Sequence, residues 1–342
     1  LIVVSDPRRH PGHLEGPMRT ALLILLLVVA TRVEAVVPLD TVQWASDSAR
    51  PTAAGIARRV QAYYLVDFTA EAGRNMYWNL RESVRDTKLS GNHNVIHFLL
   101  VTGGSIEQTP EGEATEYWCK GVSGNHGLVR AFGGDARAVI VLVDGTGRVT
   151  SITRLGDANQ EKKGIEALYK TATPLVEDAS QFPLGCKASL QWLRLGDVNH
   201  AIKDLKKAGA DGPAFVKLVT ERANVLVEMD TKILVDPSTM PSDRLIALQR
   251  LNGLLQDFPG VPSAAAAGVA IKKSKDDKQL AAEQTAYGML MEYLNIMRKT
   301  AAKKTPEVQM QWIPGLTAKF GGTYAAEIAT MIRRASRLDQ TE

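Results

Sequence analysis

The spacing of apolar residues changes character near residue 180 of this chain. Before that point, short unbroken apolar runs alternate with mixed stretches; beyond it, apolar positions recur at helical spacing and no strand-like run is found. Residues 63–69 (YYLVDFT) and 95–102 (VIHFLLVT) are too short for helices and rich in aromatic and β-branched types, which predicts buried strands. Residues 139–143 and 148–152 read as two more strands, joined by Asp144-Gly145-Thr146-Gly147, whose glycines supply the backbone angles of a tight hairpin. Helices are predicted over 51–60, over 76–87 with Asn75 as N-cap, over 128–132 and over 158–169, while 105–123 reads as a long acidic loop. The second half predicts helices at 187–195 and 198–207 around a Leu195-Gly196-Asp197 turn, then at 214–235, 242–258, 264–271, 276–298 and 324–338. The expected fold class is an α/β domain with a central mixed sheet, followed by an all-α region of helical-hairpin or solenoid type without an exact repeat.

Ahead of both lies a polar stretch, 1–17, and then an apolar decade at 21–30 (ALLILLLVVA) that follows Met18 and Arg19. It is about half the ~20 residues needed to span a membrane and runs into Thr31-Arg32-Val33-Glu34-Ala35, so it is read as a secretory signal cut after Ala35. The expected organisation is leader and signal at 1–35, an α/β domain at 36–175 and a helical domain at 183–342. The protein is expected to be periplasmic or secreted, with no membrane span once the signal is removed. After cleavage 37 Lys and Arg face 34 Asp and Glu, an ordinary surface balance. Export and the lack of a basic block interleaved with aromatics argue against a nucleic-acid partner, and nothing in the pattern specifies an oligomeric state. Two cysteines, Cys119 and Cys186, remain; an oxidising compartment permits a bridge between them, and the other readings are two unpaired or buried thiols, or intermolecular pairing or reactivity.

Residues 64–76, YLVDFTAEAGRNM, carry a resemblance. Val66, Asp67, Phe68 and Ala70 match the apolar strand that ends in Asp-Phe-x-Ala in the thioredoxin-like superfamily. Asp67-Phe68-Thr69-Ala70 is most similar to the thioredoxin-like domains of membrane thiol-disulfide interchange proteins. Trp44 about twenty residues upstream, Ala131-Phe132-Gly133, and the VIVLVDGTGRV passage at 139–149 extend the likeness over about 130 residues. The resemblance implies a Trp-Cys-x-x-Cys loop opening a helix and a proline before the hairpin strand. Here the loop reads Ala72, Gly73, Arg74, Asn75 and Met76, and Ala138 stands at the proline position. Gly73 has no atom to attack a disulfide, and the Met76 thioether cannot deprotonate to resolve one. The resemblance therefore implies a redox-inactive relative that keeps a protein- or peptide-binding or scaffolding role in the cell envelope, and the Leu195-Gly196-Asp197 turn of its helical region resembles that of a tetratricopeptide-type hairpin.

The alternative is a divergent thiol-disulfide oxidoreductase or peroxidase using Cys119, with Cys186 as a second thiol. Asp67 is the family's strand-end acid, read here as a residue without a thiol to serve. No cofactor or metal is called for. His93 and His97 are four apart, but on a strand that spacing separates side chains by ~13 Å. Asp144-Gly145-Thr146-Gly147 lacks the further oxygen ligands of a calcium loop. Gly103-Gly104-Ser105 and Gly321-Gly322-Thr323 lack the lysine of a phosphate loop. The apolar 276–298 helix, with Met289, Met291 and Met297, is read as core, with an adaptable binding stripe as the other possibility.

Overall fold

Val60–Asp67 (β2) is the strand around which the molecule is built, buried along almost its whole length. The structure is a computed structural model that describes residues 36–37, 39–69, 71–85, 93–108, 118–123, 138–154, 158–176, 178–205, 209, 211–299 and 311–336. The leader and export signal, most of the acidic loop and the helix expected at 128–132 lie outside the described residues. Beside β2 run Gln43–Trp44 (β1), Val95–Gly103 (β3), Cys119–Val122 (β4), Ala138–Val143 (β5) and Val149–Arg154 (β6). They form one mixed sheet in the order β1-β4-β3-β2-β5-β6. β2 pairs with β3 and β3 with β4 in parallel, whereas β5 runs antiparallel to β2, β6 to β5 and β1 to β4.

The helices follow chain order: Ala53–Ile56 (α1), Glu71–Arg85 (α2), Ala158–Leu168 (α3), Lys187–Arg194 (α4), Val198–Asp204 (α5), Asp211–Val235 (α6), Pro241–Asp257 (α7), Ala264–Ser274 (α8), Lys278–Lys299 (α9), Trp312–Lys319 (α10) and Tyr324–Ala335 (α11). A mixed sheet with helices thus precedes a helical C-terminal region. The largest departures from the sequence reading are in α2 and α1. α2 begins at Glu71, so Asn75 lies inside it and is not its N-cap; Asp67 closes the strand by accepting from the Thr69 N–H and hydroxyl, and Glu71 supplies negative charge to the first turn. The helix expected over 51–60 is a single turn capped by Thr52, because β2 takes the chain from Val60 onward. β1 and β4 were not expected: two residues, and then CKGV, are too short to show a period. Nor was α10, whose Pro314 and Gly315 read as breakers; a proline in the first turn lacks only an N–H that would have no partner there.

The two faces of the sheet are covered differently. Val60, Ala62, Tyr64 and Val66 of β2, with Leu99 and Val101 of β3, form a core with Tyr77, Leu80 and Val84 of α2 and Ile165 of α3. The residues between them point the other way: Tyr63 stacks on Phe98 at 4.4 Å between centroids, and the Cys119 thiol donates to the Leu195 carbonyl at 3.2 Å, so this face meets the α4–α5 hairpin. α1 seals the same junction. The Thr52 N–H donates to the Gly196 carbonyl at 2.9 Å, and a Cβ on Gly55 would collide with that carbonyl, so the approach requires glycine. Gly196 itself turns with φ of 78°.

Polar groups lock the layers together. Asp197 caps α5 through the His200 N–H, binds the His200 ring at 2.6 Å and accepts from the Arg50 N–H at 2.7 Å. Asp257, at the end of α7, accepts from the Ala54 N–H at the start of α1. At the hairpin, Arg148 reaches Glu327 and Asp243 while the Tyr324 hydroxyl accepts from the Val149 N–H. Of the apolar α9 positions, Tyr287, Leu290, Met291, Leu294 and Met297 are buried and Ile296 is half exposed, which places the methionine stripe mostly in the core.

Candidate functional site

The segment in which a redox loop is expected is the start of a helix. Ala72, Gly73, Arg74, Asn75 and Met76 all fall in the first turns of α2. Gly73 is buried, Asn75 is exposed, and the Arg74 guanidinium turns back to donate to the Phe68 carbonyl at 2.7 Å. This hydrogen bond ties the helix start to the end of β2 and directs the one charged group of the motif onto backbone. Ala138 opens β5 directly opposite Val66 and is 3% exposed. The structure therefore gathers the end of β2, the start of α2 and the start of β5. Aromatic packing fixes this corner: Tyr77 lies edge-on to Phe68 at 5.4 Å and stacked on Trp118 at 5.7 Å. Among the described residues no side chain there has nucleophilic chemistry.

The two thiols are elsewhere and separate. Cys119 lies in β4 paired with Phe98, not in an irregular loop as the sequence suggested; it is fully buried and not bridged. Burial pushes its thiol far above the ordinary range, outweighing the nearby Arg59 cation that would favour the thiolate. Cys186 precedes α4, is also buried and unbridged, and faces the Asp211 carbonyl at 3.8 Å. Its thiol is likewise shifted upward by burial and by Asp211.

Arg59 lies near Cys119 on one side and near His93 and His97 on the other. Arg59 is 2% exposed and spends its guanidinium on carbonyls: Val95 at 2.9 Å, and Leu193 and Arg194 at 3.0 and 2.6 Å at the C-terminal end of α4. That is the end of a helix where a cation is favoured. Burial still lowers Arg59 to about 9. His97, inside β3, holds its Nδ1 against the Tyr64 hydroxyl at 3.1 Å, and His93 lies just ahead of that strand. Burial first, and the Arg59 cation second, bring His97 down to about 3 and His93 to about 4. Both imidazoles are therefore neutral in the fold near neutral pH. Among the described residues no group of three or more His, Cys, Asp or Glu is placed to hold a metal.

A groove on the helical region was not anticipated. It has a volume of about 930 Å³ and is lined by Ile202 of α5, Leu205 just after that helix, Pro213, Val216 and Val225 of α6, and Pro262. Ile202, Val216 and Val225 remain 41%, 39% and 40% exposed, which is unusual for aliphatic side chains set so close together. Polar groups frame it: Lys217 and Glu221 pair at 3.8 Å, and Asn224 accepts from the Ser263 N–H and hydroxyl. The signal in the sequence was the presence of valines on the outward side of α6, which helical periodicity alone assigns to solvent. No helix among the described residues is long and apolar enough to cross a membrane. No protein-family model, curated protein or solved structure gives a significant match to this chain.

Proposed function

We propose that this chain is an exported, redox-inactive thioredoxin-like protein that works as a binding or scaffolding module, with the α5–α6 groove as its contact surface for polypeptide. The order β3-β2-β5-β6, parallel between the first two and antiparallel thereafter, is the arrangement expected of a thioredoxin core and supports that part of the reading. The absence of any thiol at the α2 start and the burial of Cys119 favour binding over thiol chemistry, since a thiolate must be formed and reached to react. The observation that carries the contact surface is the cluster of Ile202, Val216 and Val225 left exposed around an apolar groove. Its occupant would be a segment presenting apolar side chains between polar ones, matching the Lys217 and Glu221 rim.

The test is capture from the exported fraction with the native chain and with a Val216→Asp/Val225→Asp variant, alongside an insulin-reduction assay. A partner held by the native chain and lost by the variant, with no reductase activity in either, is expected. Equal retention by the variant, or turnover that disappears in a Cys119→Ser chain, would overturn the assignment.

A further inference from the structure

Arg58, between α1 and β2, and Arg250, on α7, both close on Asp230 in the C-terminal part of α6. Asp230 is fully buried, and the two arginine side chains are 7% and 10% exposed. Arg58 donates through Nε at 3.1 Å and Nη2 at 2.5 Å to Asp230 Oδ1. Arg250 donates through Nε to both carboxylate oxygens at 3.2 and 3.0 Å, and through Nη2 to Oδ1 at 2.7 Å. One carboxylate thus serves two guanidiniums, and these three side chains retain one positive charge in the interior. The charged groups acting on Arg58 are Asp230, which attracts it, and Arg250 and Arg222, which repel it. Arg222 donates its Nε to the Pro174 carbonyl. The Nη1 group of Arg250 is buried and has no hydrogen-bond partner. It lies beneath the β5–β6 turn, where a side chain on Gly147 would come within 3.2 Å of it.

A buried guanidinium N–H that bonds to nothing, next to an uncompensated charge, is costly unless an ion or water completes it. We propose that this cluster is a binding site for a small inorganic anion, seated against Arg250 Nη1 under the hairpin turn. The anion would supply the missing negative charge and the missing acceptor together. Because Arg58 belongs to the sheet layer while Asp230 and Arg250 belong to the helical layer, occupancy would strengthen the junction between them. This site is independent of the α5–α6 groove.

The experiment uses the full chain. Its thermal midpoint is followed as chloride or inorganic phosphate replaces gluconate at constant ionic strength. A saturable rise of about 5 °C in the smaller anions is expected, because a ligand that binds the native state alone shifts the transition by mass action. In an Arg250→Lys chain, which keeps the charge facing Asp230 but loses Nη1, the half-saturating concentration should increase at least tenfold. A bromide-soaked crystal should show anomalous density within hydrogen-bond distance of Nη1 and stands even if that variant fails to fold. Identical midpoints in chloride, phosphate and gluconate, unchanged saturation in Arg250→Lys, or no bromide at Nη1 would each overturn the proposal.

Discussion

Replacing His97 by Asn should flatten the dependence of stability on acid. His97 is 3% exposed and its folded-state value lies near 3 rather than the ordinary 6.5, owing to burial and then the Arg59 cation. A folded value lowered in this way means the unfolded chain binds the proton first. The stability of the neutral histidine is intact above about pH 7 and is lost progressively as pH falls from 6.5 towards 3. Between pH 7 and pH 5 the unfolded state gains about 1.4 pH units of proton-binding advantage at this one site, worth roughly 2 kcal/mol. That is a large part of a typical stability of about 5–15 kcal/mol. Asn can keep an acceptor facing the Tyr64 hydroxyl without taking a proton. Urea unfolding at pH 7 and pH 5, read by tryptophan fluorescence, should show the native chain losing about 2 kcal/mol more than His97→Asn over that interval. Carboxylates and His93 titrate in both chains and cancel in the difference. Equal losses in the two chains would mean that His97 is solvated or already paired when protonated, and would refute the argument.

The native chain should react with a thiol reagent at close to zero stoichiometry near neutral pH and with two thiols in denaturant, since Cys119 and Cys186 are both buried and unbridged; prompt labelling of Cys119 in the native state would contradict its placement in β4. Gly55→Ala should cost about 3 kcal/mol or more, because its Cβ meets the Gly196 backbone rather than a movable side chain; a chevron or urea midpoint within 0.5 kcal/mol of native (about the scatter of neutral substitutions) would show that α1 can withdraw from the α4–α5 turn. Asp230→Ala should cost about 3–5 kcal/mol in the same assay by leaving Arg58 and Arg250 buried without a carboxylate, and an unchanged midpoint would mean that the pair is hydrated in solution.

The four longer strands and most helices were legible because their apolar periods are local: β3 was expected over 95–102 and is Val95–Gly103, and the hairpin follows from Asp144-Gly145-Thr146-Gly147. Asn75 misled because an Asn before an amphipathic stretch has the chemistry of a cap, whereas the true start was set by how Asp67 and Thr69 end the strand. Cys119 was misplaced for a related reason. Its strand is four residues long and exists because β3 offers an unpaired edge to it, a fact that no local window contains. The groove was legible only in part: periodicity puts Val216 on the outward side of α6, but that neighbouring helices frame an open groove there is set by the tertiary fold.

What the sequence could state least was how the helical region bears on the sheet. The sheet face opposite α2 and α3 carries Tyr63, Leu65, Phe98 and Leu100, all at most 2% exposed, so burying them depends on elements far along the chain. Those contacts demand glycine at 55 and 196 and place Arg59 on the carbonyl end of α4, with its cation bonded to backbone rather than to a carboxylate. Such a junction couples the two layers: a proton on His97 sets a charge near Arg59, and Arg59 holds α4. Acid should therefore weaken the docking of α4 on the sheet before it melts α9 or α11, an order that hydrogen exchange at pH 7 and pH 5 would reveal as earlier loss of protection in α4 and β3. Uniform loss across all helices would place the effect of His97 on the fold as a whole rather than on this junction.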